Sequence, residues 1–175
     1  ARDYGSPMTI VESVIEANDN RKKAMAARVI AACGGSVDRL TLAVLGVTFK
    51  PNTDDMREAP SLDIIPALLE AGALVRAYDP EGEKEATPLL PGVEWCPGAY
   101  ETMEGASAVI IITEWDEFRM LDLPRVRDLL RQPLMLDFRN IYNPGEMAAA
   151  GFVYHSIGRP DKPVTVEAPE MAEAE

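Results

Sequence analysis

Five short, largely apolar runs recur along the chain: Leu42-Ala-Val-Leu-Gly-Val47, Leu74-Val-Arg-Ala-Tyr78, Ala108-Val-Ile-Ile-Ile112, Leu134-Met-Leu136 and Phe152-Val-Tyr154. They lack the strict apolar/polar alternation of a strand with one wet face. Runs of this kind suit strands covered on both faces, as in a parallel sheet. A sixth, briefer strand reads at Val93-Glu-Trp95. The intervening segments carry helix signals. Pro60 and Ser61 open a helical stretch from Leu62 to Ala71 that Gly72 closes, with Pro66 expected to kink or delay it. Further helices read at Gly98 to Glu104, Leu123 to Leu130, and Pro144 to Ala150 behind Asn143. Six strands alternating with helices predict an α/β fold, a doubly wound, mostly parallel, Rossmann-like sheet.

Ahead of the sheet, residues 7–32 place Ile10, Val11, Val14, Ile15, Met25, Val29 and Ile30 at a helical period and stop at Gly34-Gly35. Such a helix spans roughly 37 Å at the usual rise per residue. That exceeds what a small domain needs, so it reads as an arm packing on another domain or subunit. The expected organisation is an arm over 1–35, an α/β domain over 36–160, and an acidic, Pro/Ala-rich tail over 161–175 expected to be disordered. The chain has 175 residues and no initiator Met, which suits a piece of a longer protein.

Composition narrows the function classes. Seventeen basic against 29 acidic residues give a net charge of -12, which argues against a nucleic-acid-coating surface. No apolar run reaches the length of a membrane span, and the first residues lack a signal-peptide layout. Two well-separated cysteines, Cys33 and Cys96, and one histidine, His155, argue against a zinc site or disulfide framework and suit a reducing cytoplasm. Each cysteine reads as a structural thiol, and His155 as a core or surface residue rather than a base.

In open α/β sheets ligands bind beyond the carboxyl ends of the strands. The segments there are polar: Thr48 to Arg57, Asp79-Pro80, Thr113 to Phe118, and Asp137 to Asn140. The G-x-G-x-x-G fingerprint is absent, so a pyrophosphate would need side-chain cations, and Lys50, Arg57 and Arg139 are the candidates. Asp79 stands where such folds often bind a ribose hydroxyl, and reads equally as a turn-forming Asp-Pro. The acidic pairs Asp54-Asp55 and Asp116-Glu117 read as helix caps or partners of cations. Trp115 and Phe118 read as packing residues.

The segment Leu45-Gly-Val-Thr-Phe-Lys-Pro-Asn-Thr-Asp-Asp-Met-Arg-Glu-Ala-Pro-Ser61 closely resembles the C-terminal-domain signature of the UDP-glucose/GDP-mannose dehydrogenase family, most nearly its bacterial UDP-glucose-oxidising members. The arm around Asn18, Tyr78-Asp-Pro80, Thr113-Glu-Trp-Asp116 and Asp137-Phe-Arg-Asn140 follow in the family's order. The resemblance implies an NAD-dependent oxidoreductase that converts UDP-glucose to UDP-glucuronate with reduction of two NAD. It implies that Phe49, Lys50 and Arg139 bind the UDP-sugar and that Arg57 reaches toward the NAD. It makes the arm the end of a central linker and dimerisation helix, and the partners the N-terminal and central domains of the same enzyme, in a parent homodimer. The family's glycine-rich NAD loop and catalytic Cys lie upstream of its C-terminal domain, and neither Cys33 nor Cys96 sits in a matching motif. Substrate binding without turnover is therefore the expectation. A stand-alone nucleotide-sugar-binding or regulatory module, or a domain of a GDP-mannose or UDP-aminosugar dehydrogenase, is the alternative.

Overall fold

The computed structural model describes residues 9–159. The start of the first helix at Pro7 and the acidic tail from Asp161 lie outside them. In chain order the elements are α1 (Thr9–Ala32), β1 (Thr41–Leu45), α2 (Ser61–Glu70), β2 (Leu74–Tyr78), α3 (Glu83–Ala86), β3 (Glu94–Trp95) and α4 (Ala99–Met103). They continue with β4 (Ala108–Ile111), α5 (Asp116–Arg119), α6 (Leu123–Leu129), β5 (Leu134–Asp137), α7 (Pro144–Ala149) and β6 (Val153–Ser156).

Six strands form one sheet in the order β3-β2-β1-β4-β5-β6, and every pairing is parallel. This is the doubly wound dinucleotide-fold order, with its switch point between β1 and β4. The expected "mostly parallel" sheet is wholly parallel among the described residues. Strands β1, β4 and β5 are buried almost throughout, which is why their sequences read as apolar runs rather than alternations.

Side-chain alternation along the strands divides the core in two. Leu42, Val44, Val75 and Ile110 face one layer, where they meet Met25 and Val29 of α1 and Ile64 and Leu68 of α2. Ala43, Leu45, Val109, Ile111 and Met135 face the other, against Met103, Phe118, Val126 and Met147 from α4 to α7. The largest of these, Phe118, is fully buried and sets its ring edge-on to Tyr78 at 6.1 Å.

Only the C-terminal half of α1 is core. Val11 and Val14 are 45% and 55% exposed, while Val29 is fully buried. The helix is anchored to the domain by Lys22, which pairs with Glu58 at 3.3 Å and Asp63 at 3.4 Å. Arg28 adds a hydrogen bond to the Ser156 carbonyl at 3.0 Å. The expectation that Pro66 delays α2 is corrected: the helix begins at Ser61 and runs through Pro66, which lies on the exposed side. Pro66 removes one intrahelical N–H, and packing of the helix's buried residues Ile64, Ile65 and Leu68 holds the helix through it. Asn143 caps α7 as read, its side chain accepting from Gly145 N at 2.8 Å. The one-turn helices α3 and α5, by contrast, were not read from sequence.

Candidate functional site: a cleft at the carboxyl edge of the sheet

The loops beyond β1, β2 and β4 are locked together by one buried carboxylate. Asp79 is 4% exposed. Its Oδ2 accepts the backbone N–H of Val47 at 2.7 Å and of Thr48 at 3.1 Å, the Thr48 hydroxyl at 3.2 Å, and the Trp115 indole N–H at 3.2 Å. Its Oδ1 accepts from Glu81 N and Gly82 N at 3.1 and 2.8 Å. The ribose reading of Asp79 is thereby displaced: its lone pairs are spent on protein donors, and its role is structural. Trp115 is buried as a packing residue, with its polar handle used on Asp79.

The β1–α2 loop is not a dinucleotide cradle. Gly46 takes a positive φ of 79° and lies so close to Thr113 that a Cβ would stand 2.7 Å from its side chain. Thr113 in turn donates its hydroxyl to the Thr48 carbonyl, and Ser61 donates its hydroxyl to the Val47 carbonyl. The first turn of α2 is thus separated from β1 by a folded loop and sealed against it. α2 begins at Ser61 behind this folded loop, not at a glycine turn directly off β1 of the kind that holds a pyrophosphate in a dinucleotide fold. The residues present do not fit NAD at the position where a Rossmann domain would hold it.

The loop is instead an ordered platform. Phe49 N–H donates to the Asp55 carbonyl at 2.9 Å, closing a turn with Asn52 in the left-handed region. Met56 and Ala59 pin its far end in the core. Asp55 grips Arg57 with both oxygens, at 2.9 and 2.7 Å. The Arg57 hydrogen bonds hold the Asp55 carboxyl at about 2, below the ordinary 3.8. These arrangements leave the Phe49 side chain 47% exposed at the sheet edge.

Phe49 forms one wall of a cleft of about 550 Å³. Phe138 and Arg139, just beyond β5, form a second wall, and Ile64 and Ile112 are apolar residues of its lining. α1 supplies the third wall through Asn18, Arg21 and Lys22, which the i, i+3, i+4 spacing sets on one helix face. The sequence reading of cations missed Arg21 and Lys22, although that spacing was the signal for them.

Arg139 is fixed at both ends. Its backbone N–H donates to Asp137 Oδ1 at 2.9 Å. Asp137 is fully buried and takes Tyr142 N–H at 3.1 Å and the Tyr154 hydroxyl at 2.7 Å on Oδ2. The guanidinium makes a two-pronged pair with Glu114, through Nε to Oε2 and through the second prong to Oε1 at 2.6 Å. Burial pushes the Glu114 carboxyl up, but the Arg139 hydrogen bonds and charge outweigh it and leave it below the usual range. For Lys22, burial works against the ammonium, and the hydrogen bonds and charges of Glu58 and Asp63 raise its pKa overall.

Phe49 and Arg139 therefore share one cleft. Arg57 does not join them: it is 89% exposed and lines a separate cleft of about 560 Å³ with Asp55 and Leu62. Lys50 follows Phe49 on the platform with an exposed side chain. Cys96 is buried and Cys33 half-buried, both unpaired in any disulfide, and burial raises both thiols above their ordinary pKa. His155 lies half-buried on β6. Among the described residues no group of His, Cys, Asp and Glu is arranged to hold a metal, and no helix is long and apolar enough to cross a membrane.

A sheet in dinucleotide-fold order whose carboxyl edge carries side-chain cations instead of a glycine loop defines a Rossmann-like α/β ligand-binding domain. Residues 43–144 match the model of the UDP-glucose/GDP-mannose dehydrogenase family, UDP binding domain, and the chain belongs to that family. It is 50% identical over 161 residues to a UDP-glucose 6-dehydrogenase of Rhizobium meliloti, covering 92% of this chain and 37% of that protein. It is 44% identical to the UDP-glucose 6-dehydrogenase TuaD of Bacillus subtilis, covering 91% of this chain and 35% of the relative. Among solved structures it resembles an NDP-N-acetyl-D-galactosaminuronic acid dehydrogenase of Methanosarcina mazei, with TM-score 0.78 and 28% identity over 89% of this chain and 33% of that one. A UDP-glucose dehydrogenase of Pyrobaculum islandicum superposes with TM-score 0.70 at 28% identity, covering 83% of this chain and 32% of that chain. The chain thus spans about a third of the length of these relatives.

Proposed function

We propose that this chain is the UDP-sugar-binding part of an NAD-dependent UDP-glucose 6-dehydrogenase, in which the C6 alcohol of UDP-glucose becomes a carboxylate. The observation that carries the reading is the convergence of Phe49 and Arg139, from two separate family motifs, on one cleft at the switch side of the sheet. A nucleotide diphosphate suits that cleft. Phe49 offers an exposed ring to a planar base or ribose face. Arg139 keeps three N–H donors after its two bonds to Glu114. Arg21 adds a cation from α1, and Lys50 adds one from the platform loop.

NAD supplies hydride acceptance when bound and is held mainly by the rest of the enzyme. Arg57, on a face distinct from the UDP cleft, is the residue of this chain offered to it across an interdomain gap. The catalytic thiol also belongs to the remainder, and burial of Cys33 and Cys96 as protonated thiols supports that division. On this reading residues 1–35 end the central linker helix, 36–160 form the UDP-sugar-binding domain, and 161–175 are a tail. The partners are UDP-glucose and the N-terminal and central domains of the same enzyme, in a cytoplasmic homodimer.

The test is an amide NMR titration of the chain with UDP-glucose, alongside an absorbance assay with UDP-glucose and NAD. Shifts concentrated at Phe49, Lys50, Arg139 and the facing turn of α1, with no accumulation of NADH, are the expected outcome. Shifts confined to other surfaces, or sustained cysteine-dependent turnover by the chain alone, would refute the assignment.

A further inference from the structure

The pair formed by Glu114 and Arg139 differs from an ordinary surface salt bridge in what holds each partner. Glu114 sits between two locked residues: Thr113 donates to the Thr48 carbonyl, and Trp115 donates to Asp79. Arg139 is held by its own backbone bond to Asp137, which is in turn gripped by Tyr142 and Tyr154. The two side chains are 25% and 34% exposed, so the pair is partly withdrawn from water. An exposed ion pair contributes little to stability. A two-pronged guanidinium–carboxylate contact does something else: it fixes the plane of the guanidinium and removes rotamers that a ligand would otherwise have to freeze out.

Resting on the UDP reading of the cleft, we propose that Glu114 is a positioning residue for recognition of the nucleotide diphosphate. Its carboxylate takes Nε and one terminal nitrogen of Arg139 and holds the guanidinium in the cleft wall beside Phe138. The unspent N–H donors then meet the diphosphate oxygens without a prior search among rotamers. The pair also cancels one positive charge in the cleft. Diphosphate binding therefore depends on the orientation of Arg139 more than on net charge, and Arg21 supplies a cation with no ion-pair partner among the described residues.

A double-mutant cycle tests this. UDP and UMP are titrated by calorimetry into the full chain and into its Arg139→Ala, Glu114→Ala, Glu114→Gln and double Glu114→Ala/Arg139→Ala forms, with melting temperatures recorded for each. Loss of Arg139 should weaken UDP by about tenfold or more, as for a charge-assisted contact. Glu114→Ala should weaken UDP several-fold, and UMP by less. Glu114→Gln, which keeps one acceptor, should fall between. In the Arg139→Ala background, removing Glu114 should change nothing further. Wild-type or tighter UDP binding by Glu114→Ala overturns the proposal while leaving the UDP site standing. So does a loss that persists without Arg139, because Glu114 then acts elsewhere. An Arg139→Ala form that binds UDP normally removes both residues from the site. A wild-type chain that binds no UDP brings down the reading of the cleft and this proposal with it. Should Glu114→Ala melt lower than the parent, the Glu114→Gln arm carries the same comparison.

Discussion

Asp79, at the end of β2, accepts the indole N–H of Trp115, beyond β4, at 3.2 Å across the sheet's central strand. This bond and the five others on the same carboxylate tie three loops to one point. Hydrogen bonds to a charged, buried acceptor are among the most costly to strand. Asp79→Ala should therefore destabilise the chain by about 3 kcal/mol or more in chemical denaturation, and Trp115→Phe by about 1–2 kcal/mol. A loss below about 1 kcal/mol for Asp79→Ala would mean that the loops are held by something else.

Gly46 is required by a positive φ and by close approach at once. Its Cβ would fall 2.7 Å from the Thr113 side chain and 2.8 Å from its carbonyl oxygen. Backbone cannot give way as a flexible side chain does. Gly46→Ala should cost about 2 kcal/mol or more. Thermal unfolding of this variant beside Gly105→Ala is the comparison, because a Cβ at Gly105 meets nothing although φ is also positive there. Equal losses at the two sites would show that backbone conformation alone decides the cost.

Asp55 is lowered from 3.8 to about 2 by its hydrogen bonds from Arg57. A carboxyl whose folded pKa is depressed contributes stability above its unfolded pKa and loses it as pH falls through the folded value. The Arg57 contact should thus persist below pH 3.8 and fail near pH 2. Carboxyl carbon chemical shifts of Asp55 followed by NMR should give a midpoint near 2, returning toward 3.8 in Arg57→Ala. A midpoint unmoved by that substitution would contradict the pairing.

The alkaline side carries the opposite sign. Burial pushes Tyr78 up to about 12, helped by the charges of Glu117 and Asp79. Burial and Asp137 raise Tyr142 and Tyr154 further still. A group with a raised folded pKa stabilises the fold below its unfolded value, near 10, and that contribution fades as pH climbs toward the folded value. Tyrosine ionisation followed by ultraviolet difference absorbance should leave these three silent at pH 11 in the folded chain. Ionisation of all five tyrosines near pH 10 would contradict the burial seen here.

Strands β1, β4 and β5 were legible because burial on both faces leaves a short, unbroken apolar run between turn signals, as in Ala108 to Ile112. Asn143 was legible because a cap is a local device. The one-turn helices α3 and α5 were not: four residues are too few to show a 3.6-residue period. Nor could the sequence separate the ribose and turn readings of Asp79: the two local bonds from Glu81 and Gly82 suit the turn, but the four that fill its other oxygen come from positions 31 to 36 residues away. Phe49 and Arg139 stand out in the sequence through their motifs. Their shared cleft, and the wall that Arg21 and Lys22 of α1 add to it, arise only when α1 folds back over the sheet.

The most direct test of the account is calorimetric titration of the chain with UDP and, in parallel, GDP. The account predicts saturable binding of one UDP, tighter than GDP, and weakened by about 1–3 kcal/mol in Arg139→Ala. Absence of UDP binding, or GDP binding as tight as UDP, would contradict it.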